Sequence, residues 1–159
     1  MVIFCNKMIV FNRFSGLLCL LFLLSCSSSA AAPVAVGTLL VDVAEIDPNA
    51  GGRLRVALFR GEQGWPKLKN ALQVQEIVPT GEQIRVRFSI LPLADDYAIE
   101  IHHDENSNGK FDMRWLPYPR PKEGVGVSNN SFGFGHPGFS DARFSVDRPE
   151  QKIQIRMRY

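Results

Sequence analysis

Apolar and polar residues alternate with a period of two through much of this chain, and few folds accommodate such a pattern. It begins near Val34 and is clearest in residues 83–90, where four apolar residues alternate with polar ones that include Arg85 and Arg87. A β-strand places successive side chains on opposite faces, so this period is typical of strands with one buried and one wet face. No long run has the i, i+3, i+4 spacing of a helix, and we therefore predict an all-β domain of antiparallel strands.

About seven short strands, separated by turns, account for residues 36–159. That number and spacing predict a single antiparallel β-sandwich of immunoglobulin-like or transthyretin-like kind, with one long ordered loop. Residues 65–72 are expected to form a single helical turn at its edge. The predicted strands are Gly37–Ile46, Arg53–Phe59, Gln73–Val78, Gln83–Ile90, Tyr97–His103, Ala142–Val146 and Lys152–Tyr159.

The N-terminal segment has the pattern of an export signal. Arg13 precedes an apolar run of eleven residues, Phe14–Leu24, which is shorter than the about 20 residues that a membrane span needs. The run ends in Leu-Leu-Ser-Cys, which resembles the bacterial lipobox, and this resemblance implies that Cys26 carries a lipid. Residues 1–25 are therefore predicted to be a lipoprotein signal peptide, and residues 26–35 a flexible tether.

Cysteine usage agrees with lipidation, because Cys26 would be the single thiol left after cleavage and could form no intrachain disulfide. Ser27 beside it suits sorting to the outer membrane of a Gram-negative cell. The alternative is a soluble periplasmic protein cleaved after one of the alanines at 30–32. Either way, the sequence predicts an exported protein.

Charge argues against a nucleic-acid partner. Two of the 18 basic residues precede Cys26, which leaves 16 basic against 16 acidic residues. A neutral balance gives no electrostatic footprint for a polyanion. We therefore expect no nucleic acid, a membrane contact through the lipid at Cys26, and an envelope protein or carbohydrate as a further partner.

Residues 104–112 carry oxygen side chains at the spacing of a calcium loop. Residues two apart in a coiled loop can turn successive oxygens toward one Ca²⁺, and a glycine at the sixth position allows the sharp turn. Lys110 would contribute its backbone carbonyl. The predicted ligands are Asp104, Asn106, Asn108, Lys110 and Asp112.

Two features depart from an EF-hand loop. Trp115 stands where the bidentate glutamate belongs, and no flanking helices are evident. A remote carboxylate must then complete the shell, and Glu123 is the first choice, with an affinity near ~10⁻⁴ to 10⁻³ M. The alternative is a plain turn, because Asp and Asn also stabilise turns through their own backbone hydrogen bonds.

Histidines and aromatic residues leave two further functions open. A small enzyme could use His103, Asp104 and Glu123 as acid and base, whereas Trp115 and Phe134 could line a pocket for a small apolar ligand. Adjacent His102 and His103 should point to opposite faces of a strand, which argues against a shared transition metal. No nucleophile motif accompanies the serines.

Three motifs resemble a family of exported bacterial proteins that is known only as a domain of unknown function. They are Tyr97–Asp112, Pro121–Asn130 and Pro137–Phe144. The resemblance implies an exported β-sandwich with no established activity. The loop at 104–112 is also similar to the calcium loops of adhesin B-type repeats, whose pattern continues with a glutamate where this chain has Arg114 and Trp115. Together these observations predict a non-enzymatic, lipid-anchored β-sandwich with a structural Ca²⁺.

Overall fold

Two β-sheets packed face to face form the domain. The computed structural model describes residues 35–133 and 135–159, apart from the side chain of Ile90. The first sheet has three strands in the order β10 (Glu150–Arg156), β1 (Val36–Ala44) and β4 (Gln83–Pro92). The sandwich predicted from the alternation is confirmed.

The second sheet has the strand order β3–β2–β5–β8, and β9 also pairs with β5. All of its pairings are antiparallel. Two further strands, β6 and β7, form a separate small hairpin. The bounds are β2 Arg53–Arg60, β3 Gln73–Ile77, β5 Asp96–Asp104, β6 Met113–Arg114, β7 Arg120–Pro121, β8 Val125–Val127 and β9 Phe144–Ser145.

One strand pair departs from the predicted antiparallel arrangement. β1 and β10 run parallel, with Thr38 opposite Glu150 and Ala44 opposite Arg156, whereas β1 and β4 are antiparallel. A parallel pair needs a crossover connection, and here the whole rest of the domain forms it. Alternation along a single strand carries no information about the direction of a distant partner.

The main core lies between the two sheets. Leu39, Val41 and Val43 of β1 are fully buried, and they meet the fully buried inner residues of β2 and β5. The inner residues of these two strands are Leu54, Val56, Leu58, Tyr97, Ile99 and Ile101. Burial of large apolar side chains contributes about 1.5–3 kcal/mol each, so the alternating pattern is the main source of stability.

A second, smaller cluster covers part of the opposite face of β5. Ala98 and Val127 pack there against Phe139 and Ala142, with Trp65 at the side. Trp65 meets the rings of Phe59 and Phe139 edge-on, at centroid distances of 5.0 and 6.1 Å. We call this outer side of the five-stranded sheet the covered face.

The segment between β5 and β9 contains more regular structure than a single loop. Besides β6, β7 and β8 it holds a 3₁₀ turn at Ser128–Asn130 and a helical turn, α1, at Phe139–Ala142. The predicted strand at Ala142–Val146 is consequently reduced to β9, since α1 ends at Ala142. A 3₁₀ turn at Leu68–Asn70 lies within the predicted helical turn at residues 65–72.

Side-chain amides form hydrogen bonds with backbone groups at the sheet edges. Gln75 and Gln73 of β3 donate to the carbonyls of Arg87 and Ser89 in β4, at 2.7 and 3.3 Å. Asn130 accepts from the N–H of Arg156 on β10, at 2.7 Å. Unpaired edge groups are templates for strand addition, and these amides make both edges of the three-stranded sheet less available for it.

The predicted signal peptide, Cys26 and most of the tether lie outside the described residues. Residues 33–159 form one compact unit with its own hydrophobic core, so we expect it to fold by itself. Within the part of the chain that the structure describes, every helix is too short or too polar to cross a bilayer.

Candidate functional site

The last three residues of β5 direct their side chains alternately to the two sides of the sheet. His102 and Asp104 lie toward the covered face, and His103 turns to the other side, as the strand alternation predicted. All three are buried, with exposed fractions of 7%, 4% and 0%. Buried polar groups need hydrogen-bond partners, and those partners define the site.

His103 links Tyr159 to the turn between β1 and β2. We assign its Nε2–H as the donor to the carbonyl of Gly51, at 2.7 Å. Its Nδ1 then accepts from the hydroxyl of Tyr159 at 2.9 Å, and that hydroxyl accepts from the N–H of Asp47 at 2.9 Å. Both ring nitrogens of His103 thus have a hydrogen-bond partner, so His103 has a structural role.

His102 pairs with Glu123 on the covered face. Its Nε2 lies 2.7 Å from Oε2 of Glu123, and only 4% of Glu123 is exposed. The N–H of Asp112 donates to the same oxygen at 3.5 Å. Oε1 of Glu123 is buried and has no hydrogen-bond partner among the described residues.

The structure therefore brings Glu123 to His102 and not to His103. Strand alternation places His103 on the opposite side of the sheet, where Tyr159 and Gly51 occupy both ring nitrogens. The acid and base trio of His103, Asp104 and Glu123 is thus not assembled as one cluster. His102 is the histidine that contacts the glutamate.

Asp104 organises the first half of the loop at Asp104–Asp112, the oxygen loop. Its two carboxylate oxygens accept from the N–H groups of Asn108 and Gly109, at 3.0 and 2.8 Å. Gly109 has φ of 72°, a left-handed conformation that glycine adopts without strain. The sequence predicted this turn from the glycine at the sixth position.

Three further side chains of the oxygen loop meet at one atom. Asn106 and Asn108 both donate through Nδ2 to Oδ2 of Asp112, at 2.9 and 3.0 Å. Their Oδ1 atoms accept from the N–H groups of Asn108 and Lys110. The two amide bonds lower the pKa of the Asp112 carboxyl, that from Asn106 most.

The carboxylates near the oxygen loop are separated in the structure. Glu105 accepts from the N–H of Gly124 at 2.9 Å, and Asp104 lies 3.7 Å from the guanidinium of Arg55. Within residues 35–133 and 135–159, no three His, Cys, Asp or Glu side chains are grouped closely enough to hold a metal ion. Calcium binding by Asp104, Asp112 and Glu123 would require these side chains to move together.

A cleft of about 350 Å³ opens on the covered face beside the oxygen loop. His136 and Glu100 form a pair in its lining, with 2.9 Å between Nε2 and Oε1. The second ring nitrogen of His136 faces the carbonyl of Pro137, also at 2.9 Å. Because Glu100 above all favours the charged imidazole, the pKa of His136 is raised. The lining residues used below are Arg55, Glu100, His102, Phe111 and His136.

The cleft thus combines groups of both charge signs with an aromatic wall. Arg55 is bonded to Glu76 at 3.0 Å, and the ring of Phe111 lies 5.1 Å from that of His102. Such a surface can hydrogen-bond a polar ligand while it packs against the ligand's apolar parts.

A family model described as "Uncharacterized protein conserved in bacteria (DUF2141)" matches residues 41–154. The chain belongs to this family. The resemblance found in the sequence motifs is confirmed at the level of the family. No curated protein and no solved structure gives a significant match.

The range shared with DUF2141 contains the whole oxygen loop, Glu123 and the cleft. It ends before Tyr159, the partner of His103. The buried pair of His102 and Glu123 is therefore within the part that places this chain in its family.

Several site residues were missed by the sequence reasoning. Arg55 alternates with apolar residues in β2, a pattern typical of a solvated outer side chain, but it is only 16% exposed because Glu76 and Asp104 hold it. Trp65, which donates from its indole N–H to the carbonyl of Pro137, gave no sign of its distant partners. The alternation of β5 could have identified Glu100, since it lies two residues before His102 on the same face.

The aromatic residues of the long segment divide into two groups. Phe139 is 7% exposed and packs on the covered face. Trp115 and Tyr118 are 69% and 52% exposed and lie outside the cleft lining. Phe134 lies outside the described residues.

Proposed function

We propose that this DUF2141 protein is an exported, non-enzymatic binding module of the bacterial envelope. A lipid at Cys26 holds it at the membrane, and one structural Ca²⁺ orders its oxygen loop. The cleft on the covered face, beside that loop, receives an envelope protein or carbohydrate.

The observation that carries the calcium part is the unpaired oxygen of Glu123. A buried carboxylate oxygen without a partner is costly, because this atom loses its hydration and gains no hydrogen bond in return. The other oxygen of Glu123 accepts from the backbone N–H of Asp112, the residue whose side chain accepts from Asn106 and Asn108. A cation at this place would compensate the charge of both carboxylates.

The ligand set follows the sequence prediction. Ca²⁺ prefers six to eight hard oxygen ligands, mostly carboxylates, carbonyls and water. Rotation of the two asparagine amides would exchange their NH₂ groups for oxygens facing Asp112. The six ligands are then Asp104, Asn106, Asn108, the carbonyl of Lys110, Asp112 and Glu123.

Thermal unfolding of residues 33–159 tests the proposal. We expect 2 mM (about the extracellular level) Ca²⁺ to raise Tm by several degrees over excess chelator, whereas the same concentration of Mg²⁺ should have a smaller effect. A ligand at ~10 Kd that binds only the folded state adds about 1.4 kcal/mol, and a domain of this size then shifts by several degrees. Glu123→Gln and Asp112→Asn should each remove most of the shift.

Glu82→Gln is the matched control, because Glu82 is exposed in the turn before β4. This variant should keep the full calcium response. Equal Tm values with Ca²⁺ and with chelator in the wild type would refute the calcium site and leave the oxygen loop as a turn.

The lipid anchor is tested in cells with the full chain. We expect the wild type in the membrane fraction, labelled by an alkyne fatty acid, and Cys26→Ala unlabelled. A Cys5→Ala variant should behave as the wild type, since Cys5 precedes the predicted cleavage site. A Cys26→Ala variant that is still labelled would contradict a lipid at Cys26. An unlabelled wild type in the soluble fraction would support the soluble periplasmic alternative.

A small envelope enzyme is the second candidate, and the pair of His102 and Glu123 beside the cleft favours it. A buried carboxylate can orient an imidazole for proton exchange with a substrate. The test is hydrolysis of p-nitrophenyl esters, phosphates and glycosides by the wild type, His102→Gln and the control His136→Gln. Turnover lost only in His102→Gln would support catalysis, whereas the absence of turnover in all three would favour the binding module.

A further inference from the structure

The hairpin of β6 and β7 carries the densest group of exposed apolar side chains in the described chain. Among the described residues ten large hydrophobic side chains are exposed, and three of them lie within four positions of this hairpin, at Trp115, Leu116 and Tyr118. The most exposed are Leu116 at 81% and Trp115 at 69%, with Tyr118 at 52%. Concentrated exposed apolar side chains mark interaction sites more often than scattered ones do. We call residues 115–119 the tip.

The charges within the hairpin itself, between the bordering carboxylates of Asp112 and Glu123, are all positive. From Met113 to Lys122 there is no acidic residue, while Arg114, Arg120 and Lys122 flank the tip. The guanidinium of Arg120 lies 6.0 Å from the ring centroid of Tyr118. An apolar tip with a cationic base matches a bilayer whose surface carries anionic headgroups.

The backbone of the tip also suits an apolar surrounding. Pro117 and Pro119 lack an N–H group, and so does Pro121 in β7. Insertion therefore leaves fewer backbone donors unpaired, and each unpaired donor costs free energy in an apolar medium. Trp and Tyr are the residues that prefer the boundary between headgroups and acyl chains.

We propose that the tip inserts into the interface of a bilayer with anionic phospholipids. A five-residue tip is too small to supply the about 800 Å² per partner of a standard protein interface. It also lacks the carboxylate and amide side chains that would hydrogen-bond sugar hydroxyls. A lipid surface is the occupant that fits its size, charge and composition.

The position of the tip allows it to act together with a lipid at Cys26. β1 begins beside β4 and the start of β5, whereas the tip follows the end of β5, so the two lie toward opposite ends of the sandwich. A nine-residue strand is about 30 Å long, and the ten residues 26–35 reach about 33 Å when extended. The domain can therefore lie along the surface, with contacts at both ends.

Sedimentation with vesicles tests the proposal on residues 33–159, without the N-terminal segment. Vesicles of equal parts phosphatidylglycerol and phosphatidylcholine are used in chelator, so that the result is independent of calcium. We expect the wild type to bind these anionic vesicles, and to bind vesicles of pure phosphatidylcholine at least tenfold more weakly. The double variant Trp115→Ser/Leu116→Ser should lose at least tenfold in binding to the anionic vesicles, and brominated acyl chains should quench the fluorescence of Trp115.

The matched control is Leu72→Ser/Val78→Ser, which removes two exposed apolar side chains elsewhere. This control should bind as the wild type, and equal melting curves should show that all variants are folded. Wild-type protein that does not bind, or binding that survives loss of the tip, overturns the proposal. Absence of binding together with a crosslink from position 115 to one envelope protein would assign the tip to a protein partner.

Discussion

The two outer faces of the sandwich differ in how far their polar side chains are exposed to solvent. On the three-stranded sheet, Asp42 pairs with Arg85 and Lys152 at the surface, and both cations are more than half exposed. On the five-stranded sheet, His102 is buried on the covered face, and the segment that follows β5 contributes the buried Glu123 and Ser128. The first face pairs its charges where they remain exposed to solvent, and the second surrounds its polar groups with protein.

The two faces should therefore differ in how well they tolerate substitutions. A wet face with ion pairs tolerates change, because exposed pairs contribute about 0–1 kcal/mol. A covered face with buried polar groups is sensitive to every partner that is removed. The cleft and the unpaired oxygen of Glu123 both belong to the covered face, so substitutions there should affect binding and folding together.

The largest contrast between the faces should come from their apolar contacts. Phe139→Ala removes a 7% exposed ring from the covered face, and we expect a loss of about 3 kcal/mol in the free energy of unfolding. Leu40→Ala on the other outer face removes a half-buried side chain, and about 1 kcal/mol is expected. Urea unfolding measures both. Equal losses would show that the covering segment adds no packing energy.

A single buried hydroxyl should sharpen the comparison. Ser128 is fully buried, and its Oγ accepts from the N–H of Ile99 and donates to the carbonyl of Ala142. Ser128→Ala leaves both groups unpaired and should cost about 2 kcal/mol. The control Ser145→Ala, whose half-buried hydroxyl makes one hydrogen bond of 3.3 Å, should lose less than half of that in the same urea experiment. A loss in Ser128→Ala no greater than in the control would contradict the interpretation.

The wet face should respond to acid through Asp42. Hydrogen bonds from Arg85 and Lys152 lower the pKa of its carboxyl to about 2. Because the folded value lies below the ordinary one, this contribution is complete above pH 4 and is lost as the pH falls toward 2. After allowance for screening we expect Asp42→Asn to cost about 1 kcal/mol at pH 7. Unfolding curves of variant and wild type should differ most at pH 7 and much less at pH 2.

The smallest effect concerns the pair at the rim of the cleft. The raised pKa of His136 means that its favourable contact with Glu100 is complete below the ordinary histidine value and is lost as the pH rises past the raised one. Glu100→Gln should lower the pKa of His136 in a proton NMR titration. Glu62→Gln, an exposed carboxylate that is not part of the cleft lining, is the control. An unchanged titration in Glu100→Gln would show that the pair does not form.

The sequence was informative where a pattern is local. Alternation located β1 to β5, and the glycine in Asn108–Gly109 located the turn of the oxygen loop. The parallel pairing of β1 with β10 and the bond between His103 and Tyr159 join residues far apart in the chain. Such contacts leave no local period, because each partner alone is compatible with many others.

The candidate site divides in the same way. His102 and Asp104 share a face by the rule of strand alternation, and the need for a remote carboxylate in the calcium shell pointed to Glu123. Arg55 and Trp65 reach the covered face from β2 and the segment after it, and no spacing connects them with His102. Arg55 lies beside His102 only because the register between β2 and β5 places these two residues opposite each other.

The central position of β1 in its sheet has a mechanical consequence. β1 is hydrogen-bonded to β10 on one side and to β4 on the other. A pull on the chain before Val36, directed along this strand, loads both ladders in shear. Their bonds would have to break together instead of one after another. If the chain is tethered at Cys26, tension between the membrane and a bound partner therefore meets the domain at a strand held on both sides.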